Sequence, residues 1–311
     1  MSCIPLVCYT LLKFAGRCLA VWGHFIMKKE KLITTRYDIT LNNLTSPLTD
    51  KPSLRLALVS DLHDRNPGRL LRLLKEEMPD LILVAGDTLE RHEEGYEGHT
   101  MEEIDSYQET SGGWTVFCNF LKRFHQFLKR FGIAHDEKTT YGRTFLKKAS
   151  RIAPLYMSMG NHEWYLLPQD RALIKKYRIT VLDNEDCETV VKGIPLRIGG
   201  LSTMHDTDWL KKYAKKDGTK ILLCHHPEYY LRFVLKNDLK FDLVLAGHAH
   251  GGQWRFFGRG ILSPGQGFLP RLHHGIYGDM VVGAGVSNTF FIPRFGNPCE
   301  LVILQVHGPW Q

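Results

Sequence analysis

Five apolar runs in this chain each stop at a short cluster of polar residues able to bind metal, and that coupling limits the fold more than any other feature. The runs at 54–60, 81–85, 154–159, 221–224 and 241–246 lead into Asp61-Leu62-His63, Gly86-Asp87, Gly160-Asn161-His162-Glu163, His225-His226-Pro227 and Gly247-His248-Ala249-His250, in that order. Runs so short and so apolar read as buried strands rather than helices. Between the first two, Leu70, Leu71, Leu73 and Leu74 are interleaved with Arg69, Arg72, Lys75, Glu76 and Glu77 at helical spacing, and Pro79 helps to end the segment. Strand, helix, strand is a right-handed crossover, so this part of the sheet is expected to be parallel, with each cluster at a strand end where loops can aim side chains at one point.

Taken singly, Asp-x-His, Gly-Asp and Gly-Asn are ordinary turn sequences. Following successive strands in one order, they supply carboxylates, an amide oxygen and imidazoles, which are the ligands of divalent cations of hard to borderline character. Their sum reads as a two-metal hydrolytic centre. His248 and His250, two residues apart, can both reach such a centre only if the backbone bends between them.

The order Asp-x-His, Gly-Asp, Gly-Asn-His-Glu, a later His and Gly-His-x-His is similar to that of the calcineurin-like metallophosphoesterases, and the likeness runs from about residue 54 to about residue 306. The form of the stretch from Gly247 to Arg255 resembles a membrane-associated bacterial branch acting on phosphodiesters or lipid-linked diphosphates. The resemblance implies an α/β fold built as a four-layer sandwich, two mixed β-sheets flanked by helices. It implies a first metal held by Asp61, His63, Asp87 and His250, and a second by Asp87, Asn161, His225 and His248, with Asp87 bridging and a shared hydroxide as nucleophile. Such ligands suit manganese, iron and zinc alike. His162 matches the family position that contacts phosphate and protonates the leaving oxygen; a role in orienting a ligand is the alternative. Arg65, Asn66, His226 and Arg255 are candidate substrate contacts. Against them stand a Pro-Gly turn at Asn66-Pro67-Gly68, a capping role for His226 and an exposed, ion-paired Arg255. The activity expected is that of a phosphodiesterase or pyrophosphohydrolase on a lipid-linked or membrane-associated phosphate. A soluble phosphatase or nucleotide phosphodiesterase is the alternative, as is a non-catalytic scaffold, although a scaffold would be expected to have lost ligands.

With 311 residues, 43% of them hydrophobic, the chain can bury a full core. The division expected is a 1–50 segment with an amphipathic helix and a lead-in strand, then a catalytic domain at 51–311 carrying a helical insertion at about 90–150. Its seven cysteines are scattered without a Cys-x-x-Cys pair, which argues against a disulfide scaffold. A net charge of +7 favours anionic partners, and no nucleic-acid module accompanies it, leaving an anionic membrane surface as the partner expected. Residues 4–26 carry a wide apolar face with Lys13, Arg17 and His24 close together on a helical wheel, followed by Lys28, Lys29 and Lys31. That pattern suits a helix lying in the lipid interface; a helix packed on the domain, or a spanning or signal segment, are the other readings. Phe117, Phe120, Leu121, Phe124, Phe127, Leu128 and Phe131 repeat at helical spacing within the insertion, after an acidic stretch that reads as a solvated loop. The location expected is peripheral, on the cytoplasmic face of a membrane.

Overall fold

A computed structural model describes residues 31–46, 51–91, 140–288 and 293–309. Its strands are β1 (Leu32–Thr40), β2 (Ser53–Val59), β3 (Leu81–Ala85), β4 (Leu155–Ser158), β5 (Thr180–Leu182), β6 (Glu185–Val191), β7 (Ile194–Leu201), β8 (Lys220–Cys224) and β9 (Leu243–Ala246). They continue with β10 (Arg255–Phe256), β11 (Arg259–Gly260), β12 (Leu262–Ser263), β13 (Gly267–Phe268), β14 (Gly275–Tyr277), β15 (Met280–Val282) and β16 (Cys299–His307). The longer helices are α1 (Gly68–Glu77), α2 (Tyr141–Ala149), α3 (Pro168–Tyr177) and α4 (Thr207–Ala214).

Two six-stranded sheets form, ordered β1-β16-β2-β3-β4-β5 and β14-β15-β9-β8-β7-β6. Both are mixed. Strands β2 to β5 run parallel, as do β7, β8, β9 and β15, while β16 is parallel to β1 and antiparallel to β2. The apolar runs are continuous because each strand is covered on both faces. On β2, Leu54, Leu56 and Leu58 enter a core between the sheets with Leu83, Leu223 and Leu245. Ala57 and Val59 face the other way, toward Leu70 and Leu74 of α1 and Phe145 of α2. The second sheet turns Leu222 and Val244 outward against Tyr213 of α4 and Phe233. Helix, sheet, sheet, helix is the four-layer arrangement that the resemblance implied.

Helix α1 ends where Met78 adopts the left-handed conformation and returns its N–H to Leu74 O at 3.1 Å, just before Pro79. The lead-in strand is no appendage. β1 pairs with β16 along its whole length, so the catalytic sheet begins before residue 51. Of the expected insertion, only residues 90–91 and 140–150, with α2, fall among the described residues; the acidic stretch past Arg91, the phenylalanine stripe at 117–131 and the apolar segment at 4–26 lie outside them. Among the described residues no helix is long and apolar enough to cross a membrane.

Candidate metal centre

The loops that follow β2, β3, β4, β8 and β9 converge. The N–H of His63 donates to Asp87 O at 2.9 Å, that of Asp61 to Gly86 O at 3.2 Å and that of Gly247 to His225 O at 3.1 Å. His162 N–H donates to Asp87 Oδ1 at 2.9 Å, and His248 N–H to Asp61 Oδ1 at 3.0 Å. Asp61, His63, Asp87, His248 and His250 all hold left-handed backbone, with φ of 57°, 51°, 56°, 62° and 46°. Such conformations cost about 1 kcal/mol or more each and persist where the surroundings enforce them, commonly at functional sites. Gly160 is glycine for a related reason: a Cβ there would stand 2.1 Å from Asp87 Oδ1.

Seven side chains meet here. Asp61, His63 and His250 offer one ligand atom each within 4.8 Å of one another, and Asp87, His225 and His248 do the same. Asp87 joins the two sets, its Oδ2 standing 3.1 Å from His225 Nε2 and 3.6 Å from His63 Nε2. Asn161 Oδ1 lies 3.0 Å from His225 Nε2. The tautomers favour cations. His225 Nδ1 lies 2.7 Å from Ala85 O, which can only accept, so Nδ1 carries the proton. Neutral His225 then aims a lone pair at Asp87, at Asn161 and at His248 Nδ1, 3.2 Å away. Lone pairs converging in a buried site require a proton or a metal between them. Without a metal, a proton does the work: burial opposes it, but the Asp87 carboxylate pushes His225 up to about 9. His63 is set likewise, with Nδ1 2.5 Å from Glu90 Oε1 and Nε2 buried without a hydrogen-bond partner among the described residues. His250 is the exception. Arg294 donates to its Nδ1 at 3.1 Å, so neutral His250 holds its proton on Nε2, 3.7 Å from Asp61 Oδ1, and binding a cation through Nε2 would need the other tautomer, with Arg294 turned away from Nδ1.

Sequence reasoning passed over the residue that ties these groups to His162. Glu90 bonds His63 Nδ1 with one carboxylate oxygen and His162 Nδ1, at 2.8 Å, with the other. Burial would raise the Glu90 carboxyl, but the two imidazoles hold it well below the usual carboxylate range. In return Glu90, with Asp87, outweighs burial and pushes His162 up to about 10. About a third of the His162 side chain stays open to solvent, so an imidazolium faces outward beside the donor cluster. The one sequence signal was position: Glu90 follows Asp87 by three, in the same loop. Glu163 was read only as part of its motif. It accepts the N–H groups of Thr88 and Leu89 at 2.8 and 2.7 Å, fixing the loop that carries Asp87, and burial together with Asp87 pushes it up to about 8.

The four candidate substrate contacts fare differently. Arg65 is exposed on the turn after His63, and Asn66 gives its amide oxygen to the Gly68 N–H at 2.9 Å, as the turn reading has it. His226 does not open toward a substrate. It is buried, Nε2 lies 2.9 Å from Thr203 Oγ1, and Nδ1 lies 3.2 Å from Glu228 Oε1. Glu228 also stands 3.9 Å from His248 Nε2. Arg255 is half-buried on β10, where burial and neighbouring Arg294 push its guanidinium below its ordinary value against the pull of Glu300, and its Nε has no hydrogen-bond partner among the described residues. A cleft does open beside Gly160, lined by Met159, Trp164, Asn184, Ser202, Thr203 and Met204.

The sequence profile of the calcineurin-like phosphoesterases matches residues 54–252. An uncharacterized metallophosphoesterase of Campylobacter jejuni is 23% identical over 289 residues, covering 87% of this chain and 62% of its own length, so this chain spans less than two thirds of that relative. An uncharacterized Bacillus subtilis protein, YpbG, is 25% identical over 237 residues, 73% of each chain. Among solved structures, the NAD nucleotidase of Haemophilus influenzae superposes with a TM-score of 0.35 at 16% identity, covering 65% of this chain and 39% of its own, a distant likeness.

Proposed function

Because the chain belongs to the calcineurin-like phosphoesterase family, we propose that it is a metal-dependent phosphodiesterase or pyrophosphohydrolase whose substrate is a lipid-linked or membrane-associated phosphate. The observation that carries the hydrolytic part is the convergence of Asp87, Asn161, His225 and His248 with Asp61, His63 and His250 around one shared carboxylate. Asp61, His63, Asp87 and His250 would hold one divalent cation, and Asp87, Asn161, His225 and His248 the other. Bound there, such cations neutralise charge on phosphoryl oxygens and lower the pKa of water.

The chain's own groups supply the rest. His162, kept protonated by Glu90, holds a proton at its ring for the departing oxygen. Glu90 fixes that ring's orientation and the tautomer of His63 at the same time. Glu163 keeps the Asp87 loop from drifting. The cleft beside Gly160 offers room for the organic part of a substrate next to the shared carboxylate. The lipid part of the reading is supported by the net charge of +7 and by the Gly247 to Arg255 sequence, which is like that of the membrane-associated branch.

Purified protein supplied with manganese should hydrolyse an activated phosphodiester, and Asp87→Ala and His248→Ala should each abolish turnover. Retained activity in either variant would end the assignment. A panel of phospholipids, lipid diphosphates and nucleotides then tests the substrate class: turnover of nucleotides alone would replace the lipid reading with a nucleotide phosphodiesterase.

A further inference from the structure

Two short hairpins follow directly on the His248-Ala249-His250 ligand loop, and both hold apolar side chains out into solvent. The first, β10–β11, ends in Phe256 and Phe257, exposed by 47% and 106% of their reference areas. The second, β12–β13, turns at residues 264–266 and carries Phe268 and Leu269 at its open end beside Ile261, exposed by 57% and 68%. Ile261 connects them, donating its N–H to Trp254 O at 2.9 Å and accepting that of Leu269 at 2.9 Å. Phe295 extends the surface, its ring 5.2 Å from that of Phe256.

Two features of these hairpins are unexplained by the protein's own stability. Phe257 and Leu269 hold left-handed backbone, with φ of 50° and 54°, in exposed positions that glycine or asparagine would fill with less strain. Burial in the folded protein repays neither residue, since both face water. Charge along this stretch of chain is also one-sided, although a carboxylate from outside it, Glu228, packs against Gly265 in the turn of the second hairpin. From residue 243 to residue 278 there is no aspartate or glutamate, while Arg255, Arg259 and Arg271 fall within that span and Arg259 and Arg271 are exposed.

Exposed aromatic and aliphatic side chains on adjoining hairpins, with exposed arginines and no carboxylate in the same stretch of chain, are the composition that enters a lipid interface carrying anionic headgroups. We infer that these two hairpins are a membrane-docking surface of the catalytic domain, inserting Phe256, Phe257, Phe268 and Leu269 into an anionic bilayer while Arg259 and Arg271 meet its headgroups. The inference rests on the reading of a membrane-associated phosphate as substrate. It gives that reading a location: β10 begins five residues beyond His250, so docking would hold the metal loops against the lipid surface. This surface lies within the catalytic domain and is separate from the amino-terminal segment.

Hydrogen–deuterium exchange of the full chain, with and without vesicles of phosphatidylglycerol and phosphatidylcholine, reads the site directly whether or not another segment also binds. Slowed exchange at 255–260 and 267–271 with anionic vesicles, weaker with phosphatidylcholine alone, is the expected result. The double variant Phe256→Ser/Phe257→Ser should lose that protection and bind vesicles about tenfold or more weakly through these hairpins, as the loss of two buried phenylalanines implies. Turnover of a soluble activated diester should be unchanged by it, because neither residue belongs to the metal loops. Unaltered exchange at both hairpins in the presence of vesicles overturns the docking surface, even if the protein sediments with lipid through another segment. Failure of the hydrolytic reading would appear separately, as wild-type protein that shows hairpin protection but turns over no diester.

Discussion

Replacing Glu90 with glutamine probes how the site holds its proton. Glutamine keeps the size of the side chain and an oxygen acceptor, but it removes the charge that faces both His63 and His162 at hydrogen-bond distance. Glu90 Oε2 and His162 Nδ1 lie 2.8 Å apart, and two unit charges with centres about 4 Å apart attract by about 1 kcal/mol in a water-like medium and about 4 kcal/mol near a protein surface. At about 1.4 kcal/mol per pH unit, the His162 pKa should fall by roughly 0.7 to 3 units. The sign follows from the role. If the protonated ring delivers the proton, activity is lost as pH rises through the His162 pKa, which Glu90 pushes up to about 10 in the native site. In Glu90→Gln the basic limb of kcat should therefore move to lower pH. A diester with an alkyl leaving group is the right substrate, since a nitrophenolate leaves without a proton. Metal content measured on the same preparation separates this effect from a loosened His63. A basic limb that stays in place, with metal content intact, would refute the account of Glu90 as the group that keeps His162 charged.

The same logic makes His162→Ala selective: it should slow alkyl diesters by about a hundredfold to ten-thousandfold while sparing nitrophenyl diesters, and equal losses on both would mean His162 is no proton donor. Gly160→Ala drives a methyl into Asp87, so metal content by elemental analysis should fall along with turnover while circular dichroism stays native. Asp170→Ala removes the buried carboxylate that Arg91 and Arg143 share, leaving Arg91 with Glu90 O and the more distant Asp64, and should cost about 1.5–3 kcal/mol in denaturant unfolding. Burial would raise the Asp170 carboxyl, but Arg143 and Arg91 hold it below its ordinary value, so its contribution is complete above about pH 4 and is lost as pH falls through the lower folded value. The stability gap between wild type and variant should narrow only in that acid range. Dialysis against a chelator should remove turnover and manganese should restore it, with loss of fold rather than of activity counting against a preformed site.

The strands and the donor clusters were legible in the sequence for one physical reason. A strand covered on both faces must be apolar throughout, as at residues 81–85, and polar residues that end it stand out from that background. Chain order also made the β2–α1–β3 crossover readable. What could not be read were contacts made across loops. β16 is an obvious apolar strand, yet nothing local says that it enters between β1 and β2. His226 adjoins a donor residue and so suggested a group facing substrate; Thr203 and Glu228, brought from β7's loop and from the turn after β8, take both of its nitrogens. Glu90 heads an acidic stretch and had the look of a solvated surface residue. It is instead a carboxylate that bonds the rings of a donor histidine and of the proton-carrying histidine, with Asp64 accepting the Glu90 N–H at 3.0 Å to hold the loop. Donor atoms at strand ends can be found from pattern because the backbone itself delivers them. The groups that set their protonation arrive on loops, and only the folded chain brings Glu90 to His63 and His162 together, which is why the charge state of this site had to be read from the structure.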